Sequence, residues 1–288
     1  NIAANLVING GTLKYTGAAA TTDRLFTVGA GGATIESSGM GAITWSGNGV
    51  GAANAIVMTA DTSPTLTLTG TYTGGNNTFT PIWANAANSG VSTLTKAGPG
   101  TWALGSANTY TGVTTISGGT LLVSALGNGG AAASSIGSSS NAASNLVITG
   151  GTLMYNGATT STDRLFTVGA GGATIDNSGS GALTWNGNGS GAANAITVND
   201  GSSPTLTLKG SYSTVANIFA PIWGDAVTTG MSSLTKTGLG IWQLNGTNTY
   251  SGPTQILMGG LWVSSLADGG VASSIGMSSN AASNLLLD

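Results

Sequence analysis

Asp23 and Arg24 stand side by side in "TTDRLFTV" and return as Asp163 and Arg164 in "STDRLFTV", the one opposite-charge pair that recurs along the chain. Carboxylates beside a basic residue are the material of general acid–base work and of polysaccharide lyase chemistry. Neighbouring residues of a strand point to opposite faces, so the pair cannot converge on one substrate from that strand alone. The expected arrangement is an Asp that caps a turn and an Arg laid along the surface of the next coil. Glu36 is answered by Asp176 and Asp61 by Gly201, while Asp200, Asp225 and Asp268 have no acidic counterpart in the first copy. Single, scattered carboxylates do not supply the paired acids of a glycosidase or the cage of a calcium site. The chain has no His and no Cys, which removes imidazole and thiolate metal sites, disulfides and every catalytic arrangement built on either residue. "GAGGATI" resembles a phosphate loop only superficially, because no helix start and no Lys-Ser or Lys-Thr follows it. No catalytic residue, metal ligand set or cofactor is expected, and the chain does not read as an enzyme.

The elements that must carry these residues are short and written twice. "NLVINGGTL" begins at Asn5 and "NLVITGGTL" at Asn145, and "SPTLTLTG" at Ser63 returns as "SPTLTLKG" at Ser203, a constant separation of 140 residues. The offset slips by one near the second "SSIG", so that "NAASNL" at Asn141 is answered by "NAASNL" at Asn280. Two periods are expected, 1–140 and 141–280, with 281–288 beginning a third or forming an end-to-end joint. The opening "NIAANL" is a variant of the closing "NAASNL", so the segment reads either as an excerpt of a longer array or as a subunit whose tail is continued by the head of the next.

Within a period, runs such as "TLKY", "ATI", "AITW", "TLTLTG", "TWAL" and "TLLV" alternate apolar and polar residues and break at Gly, Asn, Asp or Ser every eight to twelve residues, which is strand composition and strand period. No amphipathic helix with caps is visible, and "GGAAASSIGSSSNAAS" reads as a loop or one short helical turn. A sandwich or barrel per period would satisfy the pattern, but strand-like sequence runs from one copy into the next without a linker. Stacked coils explain that continuity better: at about 20–25 residues per coil a period makes about six coils.

Composition agrees. Only six Lys or Arg and nine Asp or Glu occur in 288 residues, about a fifth of the usual charged share, so Thr, Ser, Asn and backbone amides must meet the solvent. The 49 glycines follow no collagen period. Without disulfides, stability must come from extensive backbone pairing. A net charge of −3 and a pI near 4.5 leave no basic surface for phosphates, so no nucleic acid partner is expected. No run approaches the ~18–20 apolar residues of a membrane helix, and "NIAANLVING" lacks the basic-then-apolar form of a signal peptide, so no direct membrane insertion of this segment is expected.

"LTKAGPGTWALGSANTYTGVTTISGGTLLV", residues 94–123, resembles the autotransporter-associated β-strand repeat of large bacterial surface and secreted proteins. The resemblance rests on Lys96, Gly98, Gly100, Leu104, Asn108, Thr109, Tyr110, Gly112, Gly119, Thr120, Leu121 and Val123. The second copy matches at Lys236, Gly238, Gly240, Leu244, Asn248, Thr249, Tyr250, Gly252, Gly259, Leu261 and Val263, and departs at Gly260, where the motif prefers Thr. The resemblance implies an all-β right-handed parallel β-helix, export across the bacterial envelope, and an extracellular or cell-surface location. It implies no particular activity, because such scaffolds carry adhesins, proteases and passive stalks. The expected role is a rod, stalk or filament extended by continuous or head-to-tail self-stacking; the alternative is an adhesin module that binds surface glycans. Trp102 and Trp242 stand where the repeat has an inward aliphatic residue and are expected in an interior ladder. Trp83 and Trp223, beside a proline in "TPIWANA" and "APIWGDA", are expected at a loop and are the candidate glycan contacts.

Overall fold

The structure, a computed structural model, describes residues 3–47, 51–130, 134–189 and 191–288. The chain forms two compact units: Asn1–Ala125 with Gly130–Ser140, and Leu126–Gly129 with Asn141–Asp288.

Each unit is built from stacked, parallel strands on three faces. In the first unit, Val7–Ile8, Thr27–Val28 and Val57–Met58 pair on one face. On the second face Thr12–Tyr15, Ala33–Ser37, Thr65–Thr69, Thr93–Lys96 and Thr114–Ile116 pair in that order. The third face stacks Ala20–Thr22, Ile43–Trp45, Asn76–Phe79, Thr101–Leu104 and Thr120–Val123. Every neighbour is one coil further along the chain, which is the topology of a parallel β-helix.

The coils are unequal. Thr12 pairs with Thr34, Ala33 with Leu66, Thr65 with Thr93 and Leu94 with Thr114, so successive coils consume between 20 and 33 residues. This corrects the expected six even coils: the first unit stacks five strands on each of its two longer faces. The extra length leaves at corners such as Thr71–Gly75 and Ala84–Ser92, and the paired strands remain two to five residues long.

The second unit repeats the plan. Leu146–Ile148, Thr167–Val168 and Thr197–Val198 form its first face. Its second face runs Thr152–Tyr155, Ala173–Asn177, Thr205–Lys209, Ser233–Lys236, Thr254–Ile256 and finally Leu285–Leu287. Its third face holds Thr160–Thr162, Leu183–Trp185, Asn217–Phe219, Ile241–Leu244 and Gly260–Val263. The last strand of the second face is the counterpart of Leu146–Ile148, yet that strand lies on the first face. One period therefore winds through five coils plus one further face.

Alternation decides what is inside. Strands such as Thr65–Thr69 and Thr93–Lys96 bury every second residue. In-register stacking lines the inward residues into ladders, because a parallel pair sets like positions above one another. Phe26 meets Trp45 and Phe79 edge-to-face with ring centres 5.4 and 6.4 Å apart, and Phe166 meets Trp185 and Phe219 at 5.4 and 6.3 Å. Outward threonines bond to each other across strands, as Thr65 does to Thr93 at 2.8 Å, so the uncharged exterior still satisfies its polar groups.

Candidate functional site

The strand Thr93–Lys96 buries Leu94 and, two residues on, Lys96. Period-two alternation thus places a lysine in an aliphatic ladder, in register with Leu68 on one side and Ile116 on the other. Lys96 is fully buried, and its ammonium faces backbone oxygen alone: Nζ donates to Ala97 O at 2.6 Å, Gly98 O at 2.8 Å and Gly118 O at 2.9 Å. Three donors meet three acceptors, the full hydrogen-bonding capacity of an ammonium. Lys236 repeats the cage, donating to Thr237 O at 2.8 Å, Gly238 O at 2.7 Å and Met258 O at 3.0 Å. Two carbonyls come from the lysine's own corner and the third from the coil after it, so one side chain ties consecutive coils together.

The glycines of the motif make room for that cage. Gly119 and Gly259 take left-handed backbone, φ +61° and +76°, and a Cβ on Gly259 would stand 2.3 Å from Gly238 O and 2.8 Å from Lys236 Nζ. Gly98 and Gly238 share the left-handed conformation, turning their carbonyls toward the ammonium. Gly100 and Gly240 pass close to the backbone of Tyr72 and Tyr212, while Gly112 and Gly252 donate to Ser92 O and Ser232 O on the coil before. Burial pushes both lysines down to about 8.

A second corner explains the "Asn-Thr-Tyr" phrase. Asn108 Oδ1 accepts the backbone N–H of Trp83 at 2.8 Å and its amide donates to Ser135 O at 2.7 Å; Asn248 does the same for Trp223 at 2.8 Å and Ser274 at 2.6 Å. Tyr110 and Tyr250 are buried with their hydroxyls 2.6 Å from Thr114 and Thr254. We expect Asn248→Ala to cost about 2–3 kcal/mol, since it orphans one buried N–H and one buried C=O. A fall in urea midpoint checks this, and an unchanged midpoint would show the corner to be solvated.

Trp83 and Trp223 lie on irregular backbone as expected, but their indoles turn inward and are 1 % exposed. Their indole N–H groups donate to Thr93 O and Ser233 O, both at 3.0 Å. An indole so enclosed offers no face to a pyranose, which corrects their reading as glycan contacts. Trp102 and Trp242 are fully buried in the ladders. The exposed indole is Trp262, 52 % accessible on Gly260–Val263; its alternation against Leu261 gave the signal.

The Asp–Arg pair also departs from expectation. Arg164 is buried, with Nε donating to Gly127 O at 3.0 Å, and Asp163 Oδ1 accepts the Gly129 N–H at 2.6 Å. Thr162 Oγ1 adds a bond to Gly127 O at 3.1 Å and Asp163 N–H one to Asn128 Oδ1 at 3.1 Å. The arginine therefore grips the backbone of a corner rather than lying on a surface, and Arg24 in the first unit is exposed. Glu36 pairs with Lys14 at 2.9 Å on the outer face, which holds its carboxyl below the usual range with help from Ser38. Where the second copy has Met154 in place of Lys14, Asp176 turns instead to Lys209 at 3.5 Å. Among the described residues no three His, Cys, Asp or Glu side chains gather as a metal site, and no helix is long and apolar enough to cross a membrane.

The passenger-associated-transport-repeat matches residues 94–123 and 234–263, the two stretches that hold the lysine cages and asparagine corners. Over 273 residues, 94 % of its length, the chain is 45 % identical to the adhesin BmaC autotransporter of Brucella suis biovar 1 (strain 1330). It spans 8 % of that relative's length. No solved structure matches the chain.

Proposed function

Since the chain carries the passenger-associated-transport-repeat twice and so belongs to the repeat family of exported, cell-surface autotransporter proteins, we propose that the segment serves as a length-giving β-helical spacer within a much longer surface protein. The observation that carries this reading is the spending of its chemistry. Both repeat-motif lysines, both motif asparagines and Arg164 are committed to backbone groups of adjacent coils, where they hold stacking rather than face a ligand. Five coils and one further face at ~4.8 Å per coil give about 25 Å per period. Duplicating one whole period is expected to lengthen the particle by that amount in small-angle scattering. A compact particle with no gain in maximum dimension would sink the reading.

A second reading, an adhesive surface for glycans, is favoured by Trp262 and by the relative's designation as an adhesin. An exposed indole suits stacking on a sugar face. Glycan-array binding lost in Trp262→Ala at unchanged thermal stability supports it, whereas a blank array with the parent chain rejects it.

A further inference from the structure

The second unit contains its own account of how one period receives the corner of the one before it. Leu126–Gly129 lies across Thr160–Arg164: Leu126 is 2 % exposed, Thr160 Oγ1 donates to Leu126 O at 3.2 Å, and Arg164 and Asp163 take Gly127 and Gly129 as described. The first unit presents the same receiving segment, Ala20–Arg24, with Arg24 exposed. Beside it opens an apolar hollow of about 400 Å³ lined by Leu13, Tyr15, Ile35, Ile43, Trp45 and Arg24. The counterpart of Leu126–Gly129 in the second period is Leu266–Gly269, and Leu266 is 69 % exposed.

We propose that Arg24 and the hollow beside it form a socket for the Leu266–Gly269 corner of a second copy of this chain, seated as Leu126–Gly129 is seated on Arg164. The proposal rests on the spacer reading and deepens it by naming the partner and the joint. Leu266 fills the apolar hollow, the Arg24 guanidinium takes the Ala267 carbonyl, and the Asp23 carboxylate takes the Gly269 N–H. Two residues depart from the internal template. Ala20 replaces Thr160, which removes one hydroxyl bond, and Asp268 replaces Asn128, which sets a carboxylate at the corner that carries Arg24. The added attraction between Asp268 and Arg24 is shared with Asp23, so the joint weakens with salt while its apolar part does not.

The test is sedimentation of the 288-residue chain over a concentration series. Head-to-tail association is expected, and each of Leu266→Asp and Arg24→Glu, both at exposed positions where folding is undisturbed, is expected to weaken it at least tenfold. A mixture of the two variants should recover one joint and form dimers that grow no further, because one free socket and one free corner remain between them. A parent chain that stays monomeric at its highest soluble concentration overturns the proposal. So does association that neither substitution changes. In either case a duplicated period that still lengthens the particle leaves the spacer reading standing, so the two failures are told apart.

Discussion

Lys236→Met is expected to destabilise the second unit by about 3–5 kcal/mol, read as a lower urea midpoint of the phase that reports it. The lysine lies between Leu208 and Ile256 in an otherwise aliphatic ladder, and by shape alone methionine is a fair substitute. The cage decides otherwise. Three buried carbonyls lose their only printed side-chain donor, and each costs about 1–3 kcal/mol when unmet, against which the variant recovers the burial cost of one charge. Lys96→Met should act alike in the first unit. A variant as stable as the parent would mean that desolvation had cancelled the cage.

The same lysines give the fold an alkaline signature. Below pH 8 each is charged in both folded and unfolded chain, and the burial cost is borne in full. Between 8 and 10.5 the unfolded chain still binds a proton that the folded chain has released, so stability rises with pH across that window. Burial holds the Tyr250 phenol protonated well above its usual value of 10.0, so ionisation of that tyrosine in the unfolded chain reverses the gain at higher pH. Midpoints followed from pH 7 to 10 should climb in the parent and lose half of that climb in either lysine variant.

Trp242→Ala is the other large effect, about 3–5 kcal/mol by loss of a fully buried indole in a packed interior. Trp242 also donates its indole N–H to Lys209 O at 2.9 Å, so truncation leaves a cavity and an unmet carbonyl at once. Trp242→Phe separates the two: it fills most of the volume and keeps the orphan, with an expected loss nearer 1–2 kcal/mol. If Phe and Ala cost the same, hydrogen bonding and not packing dominates the position. Thermal or urea melts followed by far-UV circular dichroism avoid relying on the fluorophore that is removed.

The alternation that carries Leu94 inward carries Lys96 inward too, and the period-two pattern of "TLTK" already says so. What the pattern withholds is the acceptor set: Gly118 lies 22 residues away and reaches the ammonium only after a coil has closed. Trp83 shows the same limit. Its proline neighbour and irregular backbone were legible, but the direction of the indole depends on Asn108, 25 residues on, and on Thr93 O. Arg24 and Arg164 have the same local sequence and opposite burial, because what covers Arg164 is a corner 36 residues earlier in the chain. Coil number was misjudged for a related reason. A mean coil length treats corners as constant, whereas Thr71–Gly75 and Ala84–Ser92 stretch individual coils without adding a strand layer.

The strand Leu285–Leu287 sits on a different face from its counterpart Leu146–Ile148, and the displacement sets a phase. In an array of such periods, equivalent outward residues advance by a third of a revolution with every copy and come back into line after three. Along one flank the recurrence is then about 75 Å, not 25 Å. An indole such as that of Trp262 would be displayed on three flanks in turn. A flat opposing surface would meet one in three of them, while a receptor that wraps the shaft would meet all, and the effective valency of the array would depend on which of the two it encounters.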